Sequence, residues 1–218
     1  MKDMKAHIFD LDGTLIDSMG IWEQIDRNFL AKRGIPFPAD YDKYVEATVP
    51  LSPSESAAHT IQYFGLKETV EDVAREWHDQ AVDAYSRTIP LKPYAKEFLQ
   101  TLRAKGAKMA IATSSPASLC MPALRNHGIL DLFDAVCLSE EVGVGKIQPD
   151  VFLLAAKRLG VNPEDCMVYE DSLTAIKTAK SIGMTVCAVY DRASDKNWEA
   201  IKQVADRVIY DFKHMGRP

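Results

Sequence analysis

Six short apolar runs spread along the chain constrain its fold more than any other feature. Ala6–Phe9, Met109–Ala112, Ala135–Leu138, Met167–Tyr169, Thr185–Tyr190 and Arg207–Tyr210 are partly β-branched or aromatic and mostly apolar on both faces. A strand with no polar face belongs inside a parallel sheet that is covered on both sides. Segments of helical period separate several of these runs. One carries Tyr94, Phe98, Leu99 and Leu102 and stops at Gly106; another places Val151, Phe152, Ala155 and Leu159 on one side and stops at Gly160. Glycine just past the last periodic residue is a common helix stop. Strands alternating with helices define βαβ units, so the expected fold is α/β: a Rossmann-like parallel-sheet core in three layers, α/β/α.

The alternation breaks between residues 17 and 87. There the pattern is helical only, through Ile21, Trp22, Ile25 and Phe29, then Ala57, Ile61 and Phe64, then Val70, Val73, Trp77, Ala81 and Tyr85. Gly34, Pro36, Pro38, Pro50, Pro53 and Gly65 punctuate it. This reads as an all-helical domain, 17–87, inserted after the first strand of a core made of 1–16 and 88–218.

Composition narrows the function. The net charge is −5, from 26 basic and 31 acidic residues, which argues against a nucleic-acid surface built on bulk charge. No apolar run approaches the ~20 residues of a membrane-spanning helix. The start, Met1–Lys5, is polar and has neither the basic opening nor the apolar stretch of a secretory signal, so the expected location is cytoplasmic. Cys120, Cys137, Cys166 and Cys187 stand singly among apolar neighbours, as buried free thiols do.

The chemistry concentrates where strands end. Asp10 and Asp12 follow the first strand in the run Asp10-Leu11-Asp12-Gly13-Thr14-Leu15. In open α/β sheets, ligands bind beyond the carboxyl ends of the strands. One carboxylate there can attack phosphorus, and a second can protonate the leaving oxygen and later activate water. Leu15 and Ile16 fall where a calcium loop of the EF-hand type needs polar groups, which excludes that reading.

Three more stretches fall after later strands. Thr113-Ser114-Ser115-Pro116 offers hydroxyls and a helix start, with Ser115 as the capping residue and Pro116 in the first turn, a combination that binds anions through backbone N–H groups. Lys146, in Gly143-Val144-Gly145-Lys146-Ile147-Gln148-Pro149-Asp150, brings a cation for a phosphoryl oxygen. It is not a Walker A lysine, because Glu140 and Ile147 stand where that loop needs glycine and a hydroxyl. Glu170 and Asp171 supply hard oxygen ligands of the kind Mg²⁺ takes together with phosphate and water. Nucleophile, acid/base, anion donors, cation and metal ligands together make a set suited to phosphoryl transfer.

Asp10-Leu11-Asp12-Gly13-Thr14-Leu15, Thr113-Ser114, Lys146 with Pro149-Asp150, and Glu170-Asp171 resemble, in order, the four motifs of the haloacid dehalogenase superfamily. The helical insertion resembles the cap of its β-phosphoglucomutase-like and phosphoglycolate-phosphatase-like branch. The resemblance implies Asp10 as nucleophile and Mg²⁺ ligand, and Asp12 as general acid/base that touches the metal through its backbone carbonyl. It implies Thr113 and Ser114 as phosphate-binding residues, Lys146 as the partner of the phosphoryl group and of Asp10, and Asp171 with Glu170 on the metal.

Ile147 replaces the first proline of the third motif as the family usually has it. The sugar-phosphate mutases of this branch carry a histidine early in the cap and an arginine later. Here Trp22 stands near the first place, and Thr48-Val49-Pro50-Leu51-Ser52-Pro53 has no arginine near the second. The expected function is therefore Mg²⁺-dependent hydrolysis of a small phosphorylated metabolite through an aspartyl phosphate, with Ser18 and Trp22 as candidate substrate contacts. A phosphomutase, a pyrophosphatase and a non-catalytic phosphate-binding protein are the alternatives. No nucleic-acid or membrane partner is expected, and no protein partner is inferable.

Overall fold

The computed structural model describes residues 4–48, 53–213 and 215. Its contacts divide the chain into a core unit, Met1–Met19 with Tyr85–Pro218, and a helical unit, Gly20–Ala84.

The core unit is built on one parallel sheet of β1 (Ala6–Phe9), β2 (Lys108–Thr113), β3 (Ala135–Leu138), β4 (Cys166–Glu170), β5 (Thr185–Val189) and β6 (Arg207–Ile209). The strand order is β3-β2-β1-β4-β5-β6, so the chain moves outward from β1 in one direction and then returns to lay β4 against its other side. The reversal falls between β1 and β4, and ligands of such sheets bind at that point. All six expected strands form, each within a residue or so of its apolar run.

Alternation along the strands separates two faces. Ala6, Ile8, Ala110, Ala112, Cys166, Val168, Val186 and Ala188 pack against the helices that follow β3, β4 and β5. These are α8 (Asp150–Leu159), α9 (Leu173–Ser181) and α10 (Trp198–Val204). The opposite face is aromatic: the rings of Phe9 and Tyr169 stack at 4.3 Å, and Phe98 meets both edge-on. Phe98 belongs to α5 (Ala95–Ala104), so the sheet is covered on both sides, as strands without a polar face require.

His7 lies on that aromatic face, its Nδ1 3.1 Å from the Tyr169 hydroxyl. Burial lowers its pKa to about 4 from the usual 6.5. The folded chain therefore binds fewer protons at His7 than the unfolded chain between those values. The stability this contributes is complete above pH 6.5 and is lost as pH falls towards 4. The shift corresponds to about 3 kcal/mol at most. Urea midpoints at pH 7 and pH 4 should fall further apart for the parent than for His7→Gln; equal drops would show that His7 is not the acid-sensitive group.

Tyr94, one residue before α5, has φ of 63°, the only positive φ outside glycine among the described residues. A side chain in that region costs about 1–2 kcal/mol, which glycine avoids at the expense of a more mobile unfolded chain. Tyr94→Gly should therefore stabilise the protein by roughly 0.5–1 kcal/mol in chemical denaturation. A loss would mean that the tyrosine ring, which has the Lys213 ammonium 5.8 Å from its centre, contributes more than the strain costs.

The helical unit contains α1 (Ile21–Lys32), α2 (Tyr41–Thr48), α3 (Pro53–Phe64) and most of α4 (Val70–Arg87). Phe29, Leu30, Ala57 and Val73 form its buried centre, and Trp77 packs on Phe29. Arg33 bridges Glu68 at 2.7 Å and Glu76 at 2.8 Å, which ties α1 to the start of α4. Three of the four helices follow the expected stripes. The fourth, α2, is not among those stripes, although Tyr41, Tyr44 and Val45 have helical spacing; it buries Tyr44, with its hydroxyl 2.7 Å from that of Thr60. Residues 49–52, part of the stretch 48–53 that has no arginine, lie outside the described residues.

Candidate active site

Every expected motif of the core opens at the carboxyl end of a strand. Asp10 and Asp12 follow β1, Thr113 ends β2, and Lys146 lies past β3, in the turn between the short helix α7 (Ser139–Val142) and α8. Glu170 ends β4, with Asp171 next to it. The parallel register sets Phe9 beside Tyr169 and Ile111, so the residues after them emerge side by side.

Asp10, Glu170 and Asp171 are all buried, and one carboxylate oxygen from each lies within 4.8 Å of the others. The Lys146 ammonium reaches into this cluster, donating to Asp10 Oδ1 and, at 2.7 Å, to Glu170 Oε2. Glu170 Oε1 also accepts the Ser172 backbone N–H at 3.1 Å, and Asp171 Oδ1 accepts the Thr14 hydroxyl at 3.3 Å. Ser172 starts α9 without capping it through its side chain.

Electrostatics follow from this crowding. Burial, reinforced by the charge of Glu170 and opposed by Lys146, pushes Asp10 up to about 8. Burial and the charges of Glu170 and Asp10 hold Asp171 well above the usual carboxylate range. Burial alone would lower Lys146, but Asp10 and Glu170 outweigh it and keep the ammonium charged. Among the described residues, three carboxylates thus share one cation. This uncompensated negative charge, presented on hard oxygen ligands, fits a divalent metal ion such as Mg²⁺.

Asp12 has different company. Its Oδ1 accepts the hydroxyls of Ser18 at 2.7 Å and Tyr85 at 2.5 Å, and its Oδ2 accepts that of Ser115 at 2.6 Å. Ser115 was expected to cap the following helix. Instead α6 (Ala117–Asn126) begins after Pro116 without a side-chain cap, and the serine turns towards Asp12. Its backbone N–H bonds the Thr113 hydroxyl oxygen at 3.0 Å. Thr113 is buried, whereas Ser114 is exposed, 3.3 Å from the Ser139 hydroxyl.

Ser18 is buried against Asp12, and Trp22 is an exposed residue of the helical unit, 48% accessible. Sequence reasoning missed Tyr85. At the end of the stripe through Val73, Trp77 and Ala81 it reads as one more apolar contact, and nothing in that pattern reveals where its hydroxyl points. The four cysteines are buried and free.

With this geometry in place, the class is settled by comparison. The chain belongs to the haloacid dehalogenase-like hydrolases, whose family model matches residues 4–183. Within that family it is similar to β-phosphoglucomutase- and CbbY-like proteins, and it is a hydrolase of the phosphatase kind.

It is 28% identical over 181 residues to the phosphorylated carbohydrates phosphatase of Thermotoga maritima, covering 83% of this chain and 82% of the relative. It is 27% identical over 190 residues to hexitol phosphatase B of Escherichia coli K12, covering 84% and 82%. The crystal structure of Rhodobacter sphaeroides CbbY in complex with xylulose-(1,5)bisphosphate superposes with a TM-score of 0.79 at 23% identity, over 98% of this chain and 96% of that one. At that identity the likeness bears on the fold. Among the described residues, no helix is long and apolar enough to cross a membrane.

Proposed function

We propose that the chain is a Mg²⁺-dependent phosphatase that hydrolyses a small phosphate ester, a sugar phosphate or a similar metabolite, through an aspartyl phosphate on Asp10. The observation that carries this reading is the contrast between two aspartates one residue apart. Asp10 meets the Lys146 ammonium inside an acidic cluster, while Asp12 is held by hydroxyls alone among the described residues. Environments that differ this much suit two different tasks.

An Asp10 oxygen attacks phosphorus, and the bond to the ester oxygen breaks. Asp12 gives that oxygen its proton, and the alcohol leaves. Water then attacks the phosphoaspartate, Asp12 takes the proton back, and the P–O bond to Asp10 breaks to free inorganic phosphate and restore both carboxyl groups. Lys146 offsets the charge of an anionic nucleophile approaching an anionic ester, and Thr113 and Ser114 bind phosphoryl oxygens. Asp10, Glu170 and Asp171, with the Asp12 backbone carbonyl, are the residues to hold Mg²⁺, which supplies further charge neutralisation when bound. The helical unit Gly20–Ala84 is the cap.

The sugar-phosphate preference draws support from the relatives named for phosphorylated carbohydrates and hexitols. The test is phosphate release from hexose and hexitol phosphates, nucleotides, phosphoglycolate and pyrophosphate, with Mg²⁺ and with EDTA. Release from a few sugar or polyol phosphates, lost in EDTA, is expected. Release from pyrophosphate alone, or conversion of a sugar 1-phosphate to its isomer with a bisphosphate primer and little free phosphate, would replace this reading. No turnover of any kind would leave a phosphate-binding protein.

A further inference from the structure

We infer that Tyr85 is a positioning residue for Asp12, an assignment that rests on the phosphatase reading above. Tyr85 sits in the last turn of α4 and is 2% exposed. Its hydroxyl donates to Asp12 Oδ1, which also accepts from Ser18 at 2.7 Å, while Oδ2 accepts from Ser115 at 2.6 Å.

The three donors come from three separate segments: the loop after β1, the end of α4 and the loop after β2. Donors on both carboxylate oxygens, arriving from different elements, fix the rotation of the group as well as its place. A proton donor must lie within hydrogen-bond reach of the oxygen it serves, and an ångström of misplacement can cost about 100-fold in rate. Ser18 is a neighbour in the chain, and Ser115 stands on a loop. Tyr85 differs from both, because a buried ring on a long helix has only two side-chain torsions and little room to use them. Asp10 needs no such support, since Lys146 already holds it.

A donor that aims Asp12 at the leaving oxygen matters most when that oxygen needs a proton. An alkyl alkoxide needs one, whereas p-nitrophenolate leaves without it. Tyr85→Phe keeps the ring and removes only the hydroxyl. It should lower kcat/KM for an alkyl phosphate such as glycerol 1-phosphate by about 10- to 100-fold. For p-nitrophenyl phosphate, kcat/KM should stay within about threefold of the parent. In an Asp12→Asn background the same substitution should change neither value further.

Equal losses on both esters, no loss on either, or an additional loss in the Asp12→Asn background would overturn the assignment. Circular dichroism melting checks the fold. If Tyr85→Phe does not fold, Ser115→Ala removes the donor on the other carboxylate oxygen without touching the buried ring. The same ester-selective loss is then expected, and its absence overturns the argument. A parent enzyme that hydrolyses neither ester would instead sink the phosphatase reading, and this assignment with it.

Discussion

Asp10→Asn should abolish turnover, lowering kcat by about 10⁴-fold or more, while the protein stays folded. An amide is far too poor a nucleophile to open a phosphate ester, and among the described residues no other carboxylate stands in its place. Glu170 is occupied by Lys146 and by the Ser172 N–H, and Asp171 takes the Thr14 hydroxyl. The fold should survive because the substitution removes one of three crowded carboxylates. Lys146 keeps Glu170 as its partner at 2.7 Å.

Stability should even rise relative to the parent in metal-free buffer near neutral pH. Burial and Glu170 hold the Asp10 carboxyl at about 8, above its ordinary 3.8, so the folded parent binds more protons there than the unfolded chain. Its contribution is present at low pH and is lost as pH rises from about 4 towards 8. The variant lacks that loss. Urea unfolding with EDTA at pH 5 and pH 7.5 should show the two proteins diverging at the higher value. Phosphate release and acid-stable, hydroxylamine-labile labelling by a phosphate donor should both vanish. Parent-like release from the variant would place the nucleophile elsewhere.

Much of this site is written in local residue order, and the reason is topological. A buried parallel strand is apolar on both faces, so a polar residue directly after it marks the sheet's carboxyl edge. Asp10, Thr113 and the pair Glu170-Asp171 all stand at such a point, which is why position along the chain located them. The helix stop at Gly160 was equally legible, since φ there is 64°.

What was not legible depends on side-chain direction across elements. Ser115 followed by Pro116 has the local pattern of a helix cap, yet Asp12 draws its hydroxyl away. Tyr85 continues an apolar stripe, and only the packed structure shows its tip on a carboxylate. Lys146 looked like a partner for Asp10; that it also holds Glu170 depends on the path of the turn between α7 and α8. Tyr94 is a different case. Sequence cannot reveal a left-handed tyrosine, because the residue type argues against that conformation.

Gly13→Ala should damage the site almost as severely, by a steric route. Gly13 has φ of +78°, and a Cβ built on it would lie 2.5 Å from Asp171 Oδ2 and 2.8 Å from Asp171 Cγ. Asp171 cannot simply swing aside, since it is 5% exposed and its other oxygen holds the Thr14 hydroxyl. Either the β1 loop moves, carrying Asp12 with it, or the Asp171 carboxyl leaves its place beside Asp10 and Glu170. Both moves strike the proposed chemistry.

The left-handed backbone adds about 1–2 kcal/mol of strain for any side chain. Activity should fall by roughly 100-fold or more, and half-maximal activity should need more Mg²⁺. Gly183→Ala separates the two effects. Gly183 has φ of +83° with nothing within 4 Å of its would-be Cβ, and it lies between α9 and β5, at the end of the sheet away from the motifs. That variant should lose comparable backbone stability in denaturant while keeping its activity and its Mg²⁺ dependence. If Gly13→Ala behaves the same way, the Asp171 carboxyl is not held where turnover needs it, and the acidic cluster loses its place in the mechanism.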